Sequence, residues 1–173
     1  MNHILYITAA MILYWGYHVS GHIVSRPTEM DIDTAKATRI YTDHRIDITK
    51  VGNRRLYLEI FRWMEHKTDE QTDCATFVGT IYQHVYDHAL DPADISILGI
   101  TSPTQVALVA EEGDFVFFKI KSTRVNDIGI YLRQGYFAHI THEGLVVISN
   151  IHDPNWSPYL YNVARAEMAY TSK

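Results

Sequence analysis

The stretch Asp73–His88, DCATFVGTIYQHVYDH, decides the fold because it joins a helical pattern to the only cysteine of the chain. Its apolar residues recur at the i, i+3, i+4, i+7 spacing of one helical face, which predicts an amphipathic helix packed into a core. The apolar positions are Cys74, Phe77, Val78, Ile81, Tyr82, Val85 and Tyr86. Thr72 or Asp73 is suited to cap the helix, which places Cys74 in its first turn.

The position of Cys74 allows two interpretations. Unpaired N–H groups and the positive end of the helix dipole lower the pKa of a thiol in a first turn, as a nucleophile requires. A small buried hydrophobe at the head of a core helix is the more common fate of a lone cysteine. The helix alone favours neither interpretation, so the residues after it have to decide.

The composition restricts the class of protein. A chain of 173 residues with 47% hydrophobic residues is long enough for one domain with a substantial core and an N-terminal appendage. The net charge is −5, with mixed signs and no basic run, so we expect no nucleic-acid partner. A single cysteine excludes an internal disulfide.

Three regions follow from the order of the residues. Residues 1–21 are largely hydrophobic, and their core, residues 4–17, is shorter than the ~20 residues of a membrane span. Its length suits a secretion signal or a weak membrane anchor. Residues 22–51 read as a polar extension, and residues 52–173 as the main domain.

The main domain begins with helices and continues with strands. Arg55–His66 predicts a second amphipathic helix ahead of the cysteine helix. After Gly113 the hydrophobic pattern becomes that of short strands, which we place at 115–120, 127–132, 136–140, 144–149 and 162–168. Helices followed by an antiparallel meander predict an α+β domain.

The chain contains ten histidines, two of which, His84 and His88, lie four residues apart on the cysteine helix. They could share a metal ion, but no further ligand has a convincing spacing and the HExxH pattern is absent. Solvent-side and helix-end histidines are the better interpretation, and we predict neither a metal nor a cofactor.

Five stretches, taken in order, resemble the NlpC-type papain-like cell-wall peptidases. The family pattern is roughly DCSGFV, GDLVFF, HVGIYLGNGxFIHA, a further strand and a DPYW-like turn. The matching stretches are Asp73–Val78, Gly113–Phe118, Asp127–His139, Gly144–Ser149 and Asp153–Trp156. The resemblance covers about 100 residues and implies helices packed on a curled antiparallel sheet of about five strands.

The resemblance also implies a chemistry and a location. In that family a cysteine thiolate attacks a peptide carbonyl in the stem peptide of peptidoglycan. A histidine on the first strand of a pair is the base, and a polar residue on the next strand orients it. Cys74 matches the nucleophile and His139 the orienting residue, and the expected location is the cell envelope or outside the cell.

Asp127 stands where the family has its catalytic histidine. A carboxylate with a pKa near ~3.9 is a poor base for a thiol near ~8.5, and its charge raises the thiol pKa. Either His139 acts as base with Asp127 as its orienter, giving a rearranged cysteine peptidase, or the domain is an inactive pseudoenzyme. In the second case the cleft binds a stem peptide or a protein partner without cutting it.

Two further features bear on the cleft. Ala75-Thr76 replaces the Ser-Gly that follows the cysteine in the family pattern, and no Tyr-Gly-Gly segment precedes it. Trp156 matches a turn residue of the family, and we expect it to staple the C-terminal strand and to take no part in binding.

Overall fold

A computed structural model describes residues 34–69, 72–101 and 110–165. The helices are α1 (Thr34–Asp43), α2 (Arg54–Met64), α3 (Cys74–Tyr86) and α4 (Pro92–Thr101). The strands are β1 (Phe115–Phe118), β2 (Asp127–Tyr131), β3 (Tyr136–Ile140), β4 (Val146–Asn150) and β5 (Leu160–Ala164). Helices precede an antiparallel sheet, so the predicted α+β class is confirmed.

Helix α3 begins as its sequence predicts. Asp73 is the N-cap, and its carboxylate accepts a hydrogen bond of 2.7 Å from the backbone N–H of Thr76. The helix ends at Asp87, which has left-handed backbone angles. Cys74 is therefore the first residue of the helix, with its side chain at the N-terminal end.

The five strands form one open antiparallel sheet in the order β4-β3-β2-β1-β5. Strands β1 to β4 make the predicted meander, and β5 returns to pair with the free side of β1. β2 lies in the middle of the sheet, and Asp127 at its first position pairs with Phe118 at the end of β1.

The sheet is buried on both faces. One face packs against the helices and includes Phe115, Phe117, Ile128, Ile130, Ala138 and Ile140. The other face carries a smaller cluster made of Val116, Phe118, Tyr131, Phe137, Ile151 and Val163, against which Trp156 packs. Successive strand residues alternate between these faces, so strand position decides which of the two environments each side chain enters.

Several strand boundaries differ from prediction. β1 ends at Phe118 rather than Ile120 because the side chain of Asn126 hydrogen-bonds both backbone groups of Ile120, at 2.7 and 3.0 Å, and turns the chain. β5 begins at Leu160, ahead of the predicted start. Helix α4 was not anticipated, because its mixed apolar pattern has no clear helical face.

The described part of the extension, residues 34–51, joins the core. Ala37, Tyr41, Ile46 and Ile48 are buried, and the Tyr41 hydroxyl donates a hydrogen bond of 2.6 Å to the carbonyl of Tyr57. The predicted signal or anchor at 4–17 lies outside the described residues. Within those residues no helix is both long and apolar enough to cross a membrane.

A substitution of Gly129 on β2 tests how closely the sheet is packed. A Cβ atom there would lie 2.7 Å from the carbonyl oxygen of Ala138 and 2.7 Å from the Phe137 ring. We expect Gly129→Ala to lower the free energy of unfolding by roughly 1–3 kcal/mol in urea titrations. The control is Gly52→Ala, where the nearest atom is the carboxylate oxygen of Glu112 at 3.2 Å. Equal stability of the two variants would contradict the close approach of Ala138 and Phe137 to Gly129.

Candidate active site

The three residues predicted from the sequence line one cleft of about 840 Å³. Cys74 enters it from the first turn of α3, Asp127 from the first position of β2, and His139 from β3. The structure thus brings together the thiol, the carboxyl and the imidazole that the sequence singled out.

Asp127 and His139 lie on the same face of the sheet. The pairing of Ile130 with Ala138 makes them diagonal neighbours on adjacent strands. Oδ2 of Asp127 is 3.6 Å from Nδ1 of His139, while Oδ1 accepts a hydrogen bond of 2.8 Å from the backbone N–H of Ile128. The predicted contact between the two strand residues is therefore present.

The imidazole of His139 is fixed by groups other than the thiol. Its Nε2 is 3.0 Å from the Ser149 hydroxyl, and its ring packs against Phe137 and Trp156 at centroid distances of 5.1 and 4.5 Å. Nδ1 has no hydrogen-bond partner among the described residues and faces Asp127. Neither nitrogen of this ring is hydrogen-bonded to the sulfur of Cys74.

Strand parity explains this arrangement. Ile128 and Ile130 point toward the helices, so Asp127 and His139 point to the opposite face, where Phe137 and Trp156 form the wall. Only 5% of the His139 side chain is exposed. The imidazole therefore packs with the cluster on the face away from the helices. Asp127 is the group whose charge raises the pKa of the thiol.

Burial changes the proton affinity of all three groups. It lowers the pKa of His139 to about 4 and raises that of Asp127 to about 7. The pKa of Cys74 rises to about 11, first because of burial and then because of the negative charge of Asp127; the backbone N–H of Ile128 opposes the rise. Near pH 7 the site holds a neutral thiol, a partly ionised carboxyl and a neutral imidazole.

Two residues of the site were missed by the sequence analysis. Ser149 gives no signal beyond its place on a strand, and only the pairing of β3 with β4 brings it to His139. Trp156 was predicted to staple the C-terminal strand and to take no part in binding. It lines the cleft and packs on His139, because the turn before β5 folds back over the sheet.

The helices packed on one face of a five-stranded antiparallel sheet define a papain-like α+β domain. The sequence model of the NlpC/P60 family matches residues 59–165, which include Cys74, Asp127, His139 and Ser149. The chain belongs to the NlpC/P60 family.

Solved structures show the same fold. An NLP/P60-family protein from Staphylococcus aureus, described as similar to a lipoprotein, shares 15% identity over 75% of this chain and 41% of its own, with a TM-score of 0.51. NlpC1 from Trichomonas vaginalis shares 16% identity over 66% of this chain and 43% of its own, with a TM-score of 0.52. The chain thus spans about two fifths of the length of each. Among curated proteins, none matches.

The pKa of Asp127 predicts a pH dependence of stability. Because its pKa is about 7 in the folded protein and near 3.8 ordinarily, only the folded state holds this proton between those values, and its contribution to stability falls as pH rises. Asp127→Asn removes this titration and can still accept the Ile128 hydrogen bond. We expect the free energy of unfolding of the variant to equal that of the wild type near pH 4 and to be higher by up to about 4 kcal/mol above pH 7.

Urea unfolding at several pH values measures this difference. The contribution of His139 to stability has the opposite sign, because it increases as pH rises above the lowered pKa of this residue. His139 is present in both proteins, so its contribution cancels in the comparison. The exposed Asp94→Asn is the matched control. A stability difference that stays constant with pH would show that Asp127 has an ordinary pKa.

Proposed function

We propose that this protein is a cell-envelope member of the NlpC/P60 family whose cleft binds peptidoglycan stem peptides without hydrolysing them. One observation carries the proposal: the thiol of Cys74 faces the carboxyl of Asp127, while the imidazole of His139 faces Asp127 and Ser149. The family supplies the substrate class and the envelope location.

The arrangement removes the charge that activates a thiol. In a cysteine–histidine pair, the imidazolium stabilises the thiolate and later gives its proton to the leaving amine. Here the neighbour of Cys74 is an acid, and a thiol with a pKa of about 11 is thiolate in only about one molecule in ten thousand at pH 7. His139, with a pKa of about 4, carries no proton to donate as a cation.

The size and the lining of the cleft support the binding of a peptide. The cleft of about 840 Å³ is large enough for several peptide residues, and polar groups line it alongside Trp156. Ring contacts with Phe118, Phe137 and His139 hold Trp156 in the wall. A cleft of this shape provides hydrogen-bonding groups and one aromatic surface for an extended peptide.

A second candidate function is slow hydrolysis by a rearranged triad of Cys74, Asp127 and His139. The observation that favours it is the pKa of Asp127, which burial brings to about 7, close to the value of an efficient general base at neutral pH. In this alternative, Asp127 would take the thiol proton and His139 would orient it at 3.6 Å. These roles are the reverse of those expected from the sequence, because neither nitrogen of His139 is hydrogen-bonded to the sulfur of Cys74.

The substitution Asp127→His separates the two candidates. It places an imidazole beside the thiol, with His139 in position to orient it, and so rebuilds the family arrangement. We expect the wild type to bind purified muropeptides without turnover, and Asp127→His to gain turnover by a factor of at least about 100, the lower range for general-base catalysis. Chromatography of the products measures the activity.

The control is the double variant Asp127→His with Cys74→Ala, which should bind but not cut. Turnover by the wild type that disappears with Cys74→Ala would overturn the proposal in favour of the rearranged peptidase. Absence of both binding and turnover in the wild type would show that stem peptides are not its ligands, leaving a protein partner as the occupant of the cleft.

A further inference from the structure

A second cavity of about 440 Å³ adjoins the cleft. Asp73, Cys74 and Asn126 line both spaces, so the two meet at the head of α3. The second cavity extends away from His139, between the loop that joins β1 to β2 and Ser96 of α4. We call it the basic pocket, defined by Lys119, Arg124 and Tyr161.

We propose that the basic pocket binds a free carboxylate of the peptide in the cleft, with Lys119 and Arg124 as the recognising groups. The inference rests on the proposed function and adds to it the charge and the direction of the ligand. The peptide would cross Cys74 with its anionic group on the side of Lys119 and Arg124.

The charges of the pocket are available for a ligand. Among the described residues that line it, Lys119 and Arg124 are the basic ones and Asp73 the acidic one, and the Asp73 carboxylate already caps α3. Among residues 34–69, 72–101 and 110–165, no carboxylate forms an ion pair with Lys119 or Arg124. The ammonium of Lys119 lies 3.4 Å from the ring centroid of Tyr161, a cation–π contact that positions the charge without neutralising it.

The loop that carries these residues has a defined conformation. Besides its two side-chain bonds to Ile120, Asn126 donates its backbone N–H to the Phe118 carbonyl at 3.0 Å. The backbone N–H of Arg124 bonds the Ser122 hydroxyl at 3.0 Å, and that of Lys119 bonds the Tyr159 carbonyl at 2.9 Å. Binding would therefore order only the two long side chains.

The main cleft has the opposite charge. Among the described residues that line it, apart from the shared Asp73, the acidic ones are Asp69, Glu143 and the partly ionised Asp127, and the lysine is Lys67. A carboxylate is repelled there and attracted at the basic pocket. An arginine fork and an ammonium converging on one carboxylate give charge-assisted hydrogen bonds, which are stronger than neutral ones.

The test uses a synthetic stem tetrapeptide with free carboxylates and the same peptide with each carboxylate converted to a primary amide. We expect the wild type to bind the free acid about tenfold more tightly than the amide in calorimetric titrations. Lys119→Met or Arg124→Met should each weaken binding of the free acid by about threefold, so that the two losses together make up the tenfold preference, and should leave binding of the amide unchanged. With both substitutions, the two peptides should bind equally.

Lys121→Met is the matched control, because Lys121 is exposed on the same loop but does not line the pocket. Thermal unfolding of each variant verifies that it is folded, and Arg124→Lys, which keeps the charge, should retain preference for the free acid. Equal wild-type affinity for acid and amide would overturn this inference and leave the proposed function standing. If neither peptide binds, both this inference and the proposed function are contradicted.

Discussion

The contact of one buried carboxyl with two neighbours determines the chemistry of this site. Asp127 acts electrostatically on the thiol of Cys74 and lies 3.6 Å from the imidazole of His139. Burial makes ionisation costly for every member of the group, so each is held near its neutral form. A thiol without a cationic neighbour is less readily ionised than one beside an imidazolium.

The rest of the fold keeps that contact in place. The N-cap at Asp73 fixes the start of α3 and with it the position of the sulfur. Pairing with Phe118 of β1 fixes Asp127, and Ser149 with Trp156 fixes the ring of His139. These contacts hold the side chains that line the cleft in fixed positions relative to one another.

The fold was largely predictable, since helical and strand periodicities are local and the five family stretches fix their order. The cap at Asp73 and the contact of Asp127 with His139 also followed from the sequence. The orientation of His139 did not, because it depends on a tertiary wall built from Phe137 and Trp156, and Trp156 lies in a turn whose path no local pattern specifies. The upward effect of Asp127 on the pKa of Cys74 was predicted, but the larger effect of burial was not, because it depends on tertiary packing.

The most direct test is the protonation state of Cys74. Because the chain has one cysteine, its S–H stretching band in a Raman spectrum reports this thiol alone. With a pKa of about 11, the band should persist unchanged through neutral and mildly alkaline pH and disappear only in strongly alkaline solution. Loss of the band near neutral pH would show a stabilised thiolate and contradict the account.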